Sequence, residues 1–582
     1  MSVLMSVELS NPLFGNYLYL FIDVMVMRDI PLGVQDFKKL RDLDLYFVDK
    51  SQMVASILDS PGTEVFLFTR PRRFGKSLNL SMLDAYLNGR YSGNHWFDGL
   101  SIDRTRPDDP DRNTNAVVCL DMKGLGAGTY DDFLKQMSSR MSVLYREFMY
   151  LEDSDRLDSK SRQEFMGIYM ENGDADLGAS LFMLLRMLYA YHGRKVVLLI
   201  DEYDSSVNDA RTEDDRRRIL DFMKQFLGGA LKGNEALRFA VVTGVLQIAK
   251  ESIFSGLNNL VVNNVFSRES DEMFGFTASE VQAICEDYGH PEKYPEAKEW
   301  YDGYRFGNAE IYNPWSVLSY VKLGFVPGTY WAGTSGNSIV PDLVDRADRE
   351  TRESLRILAE GGSIRWPVEP MVTFADLGVD GGAIWSVMVM SGYLRTEAEE
   401  TGHAISIPNK EMFGVFAKAV TAQLGGKADS YVRAFADAVL SGDAGRMQRD
   451  LYGIMAESVS VRLLRYEIPY QTLILGLLMH LAGRYRITGD FESGRGYHDI
   501  RLESRFGDGP NIVMEIKVRR TSSAEAQARK ALEQIRQKDY MHGLKGETIL
   551  YGICFDKKVP VIESERIPGS RTITGVRGPA RP

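Results

Sequence analysis

The sequence predicts an α/β protein of several domains: a parallel-sheet domain, a helical connector, and a second α/β domain near the C-terminal end. Three observations predict it. Apolar runs of strand length alternate with helical patterns between Val65 and Thr243, as in sheets whose parallel strands are joined by helices. A basic turn closing on Gly75-Lys76-Ser77 links the first of these runs to a helix. Far downstream, Asn511 to Val518 places Glu515 and Lys517 in an apolar strand. At 582 residues the chain is too long for one core, so two to four domains are expected.

Composition narrows the class. Hydrophobic residues make 44% and charged residues 26%, the balance of a soluble globular protein. Cys119, Cys285 and Cys554 are too scattered for a zinc site or a disulfide framework, which suits a reducing cytoplasm. A formal charge of -11 leaves nucleic-acid contact to local basic patches. Residues 1–29 read as an N-terminal extension. Its apolar run Tyr17 to Met27, broken by Asp23, is too short to span a bilayer and lacks the marks of a signal peptide. Met27 is an alternative start, and a cytoplasmic protein without membrane attachment is expected.

The first domain is expected over 30–289. Asp36 to Leu43 reads as a short helix, and a second helix runs through Leu58 before the Pro61-Gly62 turn. Val65 onward is the strand that feeds the basic turn. Backbone N–H groups and the helix dipole at Gly75 face an anion there. Lys76 is placed to reach the β- and γ-phosphates of ATP, and Ser77 to hold Mg²⁺. Arg70 stands where the usual pattern has its first glycine. Ala116 to Asp121 is a second strand, followed by helices over Phe133 to Glu152 and Leu177 to Tyr191. Val196 to Asp204, Val-Val-Leu-Leu-Ile-Asp-Glu-Tyr-Asp, is a buried strand with acids at its tip. Asp201 is the candidate magnesium ligand and Glu202 the group that polarises an attacking water. Arg211 to Leu231 is a helix, and Leu237 to Thr243 another strand. Thr243 at its tip is the candidate γ-phosphate sensor; backbone capping is the alternative role.

Here the chain resembles a known family. Arg70-Pro71-Arg72-Arg73-Phe74-Gly75-Lys76-Ser77, Asp201-Glu202-Tyr203-Asp204, Thr243-Gly244-Val245, Ser252 to Asn259, Trp300 to Tyr304 and Tyr312-Asn313-Pro314-Trp315-Ser316 are similar to the AAA-ATPase-like domain of bacterial proteins fused to a PD-(D/E)XK nuclease domain. The resemblance implies a P-loop fold that binds ATP through Arg73, Gly75, Lys76, Ser77, Asp201 and Thr243. It also implies that arginine at position 70 belongs to the family.

The connector is expected over 290–440. Trp300 to Tyr304 and Trp315 can be read as base-stacking groups or as packing at a domain junction, and packing is preferred. Ala383 to Leu394 is an apolar helix, and Arg395 to Ile407 a hairpin. Helix plus hairpin is a winged-helix-like pattern, though the sequence does not require that fold. Arg433 to Met455 is expected to be helical.

The last domain is expected over 441–566, before a loose tail at 567–582. Glu467 to Leu481 is a buried helix. Tyr485 to Phe491, His498 to Leu502 and Asn511 to Val518 are strands, Ala524 to Gln537 a helix, and Thr548 to Cys554 a strand. Alternation puts Glu515 and Lys517 on one face, within reach of Asp499 on the neighbouring strand. Two adjacent carboxylates repel unless a cation lies between them, and oxygen ligands suit Mg²⁺ or Mn²⁺. Asp499 and Glu515 are thus candidate metal ligands, with Lys517 acting on the water or phosphate. The family resemblance extends to this PD-(D/E)XK core and brings in Glu467, Glu492 and Gln534 as supporting residues. It departs at Gly496-Tyr497-His498-Asp499, where the family's arginine is displaced to Arg495. His498 is read as structural. Arg519, Arg520, Arg529, Lys530, Arg536 and Lys538 form a basic cluster, readable as a phosphate surface or as a solvated helix face.

The leading expectation is an ATP-regulated, metal-dependent nuclease acting on nucleic acid, DNA ahead of RNA, with homo-oligomerisation left open. Two alternatives stand beside it. One is a nucleotide-dependent switch whose nuclease fold only binds nucleic acid or a protein partner. The other is an active nuclease with a non-hydrolysing ATPase relic.

Overall fold

The computed structural model describes residues 3–6, 19–22, 27–125, 128–247, 258–331, 349–359, 361–372, 382–398, 402–422, 428–458, 468–478, 481, 484–493, 496–520 and 522–568. The chain divides into two compact units: Met1–Pro295 with Phe306–Leu323, and Glu296–Arg305 with Gly324–Pro582. Inside the N-terminal extension, Val3–Ser6 pairs antiparallel with Tyr19–Ile22.

The first unit is built on a five-stranded sheet in the order Val117–Asp121, Val196–Asp201, Leu237–Gly244, Val65–Thr69, Leu260–Asn263. Every pairing is parallel. The central strands are continuous apolar runs because helices cover both faces, leaving no side for polar residues. Leu237–Gly244 lies between the strand of the basic turn and the strand of Asp201, and this order brings Thr243 beside both. The edge strand Leu260–Asn263 is not evident in the sequence. It has three apolar residues between asparagines, too short a run to stand out.

Helix ends follow local chemistry. Asp36, Thr129, Asp158 and Thr212 each accept a backbone N–H in the first turn of a helix, as capping residues do. The helix expected over Phe133 to Glu152 starts earlier, at Tyr130, and closes at Arg146; a short 3₁₀ turn, Met149–Leu151, follows.

The second unit contains a five-stranded sheet in sequence order: Tyr485–Ser493, Gly496–Ser504, Asn511–Val518, Thr548–Asp556 and Val559–Ile567. All pairs are antiparallel except Asn511–Val518 with Thr548–Asp556. The parallel pair needs a crossover, which the Ala524–Gln537 helix supplies. Ile512, Met514 and Ile516 enter a core with Tyr470, Ile474 and Leu477, while Val513 packs with Ile535 and Tyr540 on the other face. The last strand is a fifth beyond those expected. Pro560 and its run of acids disguise it, and both are features of an edge strand.

Between these sheets in sequence, the Ala383–Met390 helix is entirely buried. Arg395–Ala398 and His403–Ser406 form the expected hairpin, with Ile364–Trp366 added as a third strand. The helix expected from Arg433 to Met455 is two helices, Ala428–Ser441 and Ala444–Ser458. Gly442 falls in the break, and Asp443 accepts the N–H of Arg446 and so starts the second helix.

Candidate functional site

The basic turn joins a fully buried strand, Val65–Thr69, to the helix Lys76–Leu87. Gly75 precedes the helix at φ 90°, a left-handed conformation in which a side chain is strained. A Cβ there would meet nothing within 4 Å, so the space above the helix N-terminus is open. Lys76 is buried, and its Nζ donates to the carbonyls of Arg70 at 2.8 Å and Pro71 at 2.9 Å. Burial pulls its pKa down, while Asp201, Asp204 and Glu202 pull it up.

Asp201 gathers the other predicted groups. Ser77 Oγ donates to Asp201 Oδ2 at 2.5 Å, and the Thr243 hydroxyl donates to Oδ1. The Glu202 N–H donates to the same Oδ1 at 3.0 Å. Glu202 takes a left-handed backbone, φ 52°. Burial, then the neighbouring Asp201 charge, raises its carboxyl above the ordinary range. Asp204 plays a different part: buried, it accepts the N–H groups of Val245 and Leu246 at 3.0 and 2.9 Å. It fixes the turn after Thr243.

Arg70 takes no position toward the phosphate space. Its side chain is fully buried and donates to the carbonyls of Thr69, Asn263 and Ser270 and to Ser270 Oγ, at 2.8 to 3.0 Å. Burial pushes its pKa down to about 9, which leaves it charged at neutral pH. Arginine replaces glycine here because it pins the turn to the edge strand. Arg73 is half-buried with φ 70°, and its guanidinium lies 4.4 Å from the Trp315 ring centroid.

In the second unit, Asp499 and Glu515 stand on paired strands, one step beyond the Ile500–Met514 pair. Glu515 is buried, 2% exposed, and accepts from Lys517 Nζ at 2.6 Å and from the Gln534 amide. Asp499 Oδ2 accepts the Ile516 N–H at 2.5 Å. Gln534 also donates to the Tyr540 hydroxyl at 3.3 Å. Tyr540 is raised in pKa mainly by burial, with the charges of Glu515 and Asp499 adding to it. The structure therefore brings together Asp499, Glu515, Lys517 and Gln534, and adds Tyr540. In register, position 490 falls between the Gly489–Ile500 and Phe491–His498 pairs.

Glu467 lies outside the described residues, as does the side chain of Glu492, whose strand position pairs with Tyr497. His498 is fully buried and meets Thr488 Oγ1 at 3.1 Å, with burial lowering its pKa to about 4. In the basic cluster, Arg519, Arg529 and Arg536 pair with Asp556, Glu563 and Glu565. The acids come from the last two strands, so much of this positive charge is already offset.

Both sites fit the groups their residues suggest. The phosphate turn offers an open N-terminus, a lysine held by loop carbonyls, and a hydroxyl–carboxylate pair suited to Mg²⁺. The sheet offers two adjacent carboxylates. Among the described residues no group of three or more His, Cys, Asp or Glu side chains surrounds one cation position. A cation at Asp499 and Glu515 would therefore complete its shell with water or substrate oxygens. No described helix is long and apolar enough to cross a membrane.

Comparison with known proteins agrees with this division. Residues 31–254 match the family described as predicted AAA-ATPase, and residues 465–565 match the PD-(D/E)XK nuclease superfamily. An uncharacterized protein in the vnfD 5' region of Azotobacter chroococcum mcd 1 is 31% identical over 325 residues. That match covers 55% of this chain and 57% of the relative, so the chain spans little more than half of its length. The N-terminal region is a predicted AAA-ATPase domain, and the C-terminal region is a domain of the PD-(D/E)XK nuclease superfamily.

Proposed function

We propose that this protein binds ATP and couples it to metal-dependent hydrolysis of phosphodiester bonds in nucleic acid, DNA ahead of RNA. The observation that carries the reading is the convergence of Asp499, Glu515, Lys517 and Gln534 around one carboxylate pair. An apolar strand gains nothing in stability from a buried glutamate that needs a lysine and an amide to hold it. Such a group is better explained by chemistry.

Asp499 and Glu515 would hold Mg²⁺ or Mn²⁺. When bound, the cation supplies an acidified water and charge stabilisation at the phosphate. Gln534 fixes the direction of the Glu515 carboxylate. Lys517 brings a positive charge to the same face, where it orients the nucleophile or offsets charge on the phosphate. In the ATPase region, Lys76 would hold the β- and γ-phosphates, and Ser77 with Asp201 would hold the accompanying Mg²⁺. Arg73 and the Gly75 backbone line the same phosphate cradle. Glu202, whose carboxyl burial raises above its ordinary range, would take a proton from water, and Thr243 would read the terminal phosphate.

The test uses full-length protein with labelled DNA and RNA, each with and without Mg²⁺ and ATP. Metal-dependent cleavage supports the reading; binding without cleavage under every condition overturns it. A second reading, a nucleotide-dependent switch that only binds, draws on the close Lys517–Glu515 contact, which neutralises the glutamate without a cation.

A further inference from the structure

Three residues of the phosphate turn meet one wall built from chain far downstream. Phe74 is buried with its ring 5.2 Å from Phe306, and its carbonyl accepts the Gly275 N–H at 3.0 Å. A Cβ at Gly275 would lie 2.3 Å from Ile311 Cγ2, so only glycine lets the wall close this tightly on the turn. Arg70 sits over the rings of Phe274 and Phe306, at 5.3 and 5.0 Å. The third contact is Arg73 on Trp315.

Trp315 is placed by backbone structure. Ile311 and Tyr312 pair antiparallel with Thr277 and Phe276. Asn313, fully buried, then accepts the Ser316 N–H at 3.2 Å and caps the Pro314–Lys322 helix, whose first residue is the proline. Trp315 follows in the first turn. Register, cap and proline thus place the backbone of Trp315 independently of Arg73. Arg73, by contrast, holds a left-handed backbone that a non-glycine residue keeps only when its surroundings require it. Burial lowers the pKa of Arg73 and the Glu202 charge acts against that shift.

We propose that Trp315 is a positioning residue for nucleotide recognition: its ring holds the Arg73 guanidinium at the phosphate turn, where it would meet the terminal phosphate of a nucleoside triphosphate. This rests on the reading that the turn binds ATP, and it adds to Thr243 a second group through which the site would tell triphosphate from diphosphate. Tryptophan suits the role because its face attracts a guanidinium without drawing away its N–H donors.

The experiment is calorimetric titration of the full chain with Mg-ATP and with Mg-ADP, for wild type, K76A, W315L, W315F, R73Q and the W315L/R73Q double variant. W315L is expected to weaken ATP about tenfold, the scale of a desolvated cation–π contact, and to leave ADP within about twofold. W315F, which keeps an aromatic face, should retain most of the ATP preference. R73Q should mirror W315L, and the double variant should be no weaker than R73Q alone. Equal loss of ATP and ADP in W315L would reduce the residue to a structural prop and overturn the proposal. So would unchanged ATP binding in W315L when K76A weakens it, or losses that multiply in the double variant. A wild type that binds neither nucleotide would overturn the ATP reading itself and the proposal with it.

Discussion

Asp201 and Glu515 are both carboxylates with a lysine nearby, but the two sites assemble in different ways. Asp201 draws Ser77 from 124 residues away and Thr243 from 42. Glu515 takes Lys517 two residues on and Gln534 nineteen residues on, and Asp499 reaches the backbone beside it from 17 residues back. The first site sits at the C-terminal tips of parallel strands and exists only when the sheet order is correct. The second lies within adjacent strands and one crossover helix, so much of it is set by local alternation. The contrast predicts that the first site fails through its loops and tips, and the second through its ligands.

The largest effect should come from the second site. Asp499→Ala and Glu515→Ala are expected to lose Mn²⁺ binding and to reduce cleavage to background. Lys517→Ala should keep most metal affinity, because an ammonium is no ligand, yet lose cleavage by about 100-fold. Mn²⁺ titration beside a nuclease assay separates the two classes; cleavage by Asp499→Ala at the wild-type rate would leave only the binding-switch reading.

At the first site, Lys76→Ala should weaken ATP binding by roughly ten- to a hundredfold, the scale of hydrogen bonds to a charged group. Circular dichroism should show the fold kept, and calorimetry giving equal affinities would remove the site. Provided the wild type hydrolyses ATP, Glu202→Gln should retain ATP and slow hydrolysis. Because burial raises the Glu202 pKa, that hydrolysis should climb with pH over a range displaced above that of an ordinary glutamate, as the carboxylate forms. The glutamine variant should lose this climb, and a profile identical to wild type would dismiss Glu202 as the base.

The smallest effect concerns stability beside the second site. His498 is buried neutral, with a pKa of about 4 against an ordinary 6.5. Between those values the unfolded chain takes up a proton that the folded chain refuses. Stability should therefore fall as pH drops from 6.5 toward 4, by up to roughly 1.4 kcal/mol per pH unit, and lose nothing more from this group below that. His498→Gln should flatten the slope in pH-dependent thermal melts. An unchanged slope would place the titrating group elsewhere.

The same contrast explains what could be read in the sequence. Ser77, Asp201, Glu202 and Thr243 were legible because each occupies a strand tip or a helix start, positions that apolar runs mark. Glu515 and Lys517 were legible from alternation within one strand. Arg70 was legible as a departure but not as a pin, since its carbonyl acceptors lie on residues up to 200 positions away. Trp315 was indistinguishable from junction packing for the same reason. The basic cluster looked stronger in sequence than it is in space, because its neutralising acids come from strands that were only partly recognised.

Arg70 carries one further consequence, in the currency of ionic strength. Its charge is sealed from solvent and hydrogen-bonded to carbonyls and the Ser270 hydroxyl, with the Asp271 charge also acting on it. Mobile ions screen exposed charges over about 10 Å at 0.1 M salt but reach a buried one far less. The guanidinium is thus a permanent positive field beneath the phosphate turn that added salt does little to weaken. Nucleic acid held by exposed groups such as Arg520 and Lys530 would instead be released as salt rises. If the chain holds nucleic acid as proposed, raised ionic strength would therefore loosen that hold well before it disturbed the buried Arg70 pin of the phosphate turn.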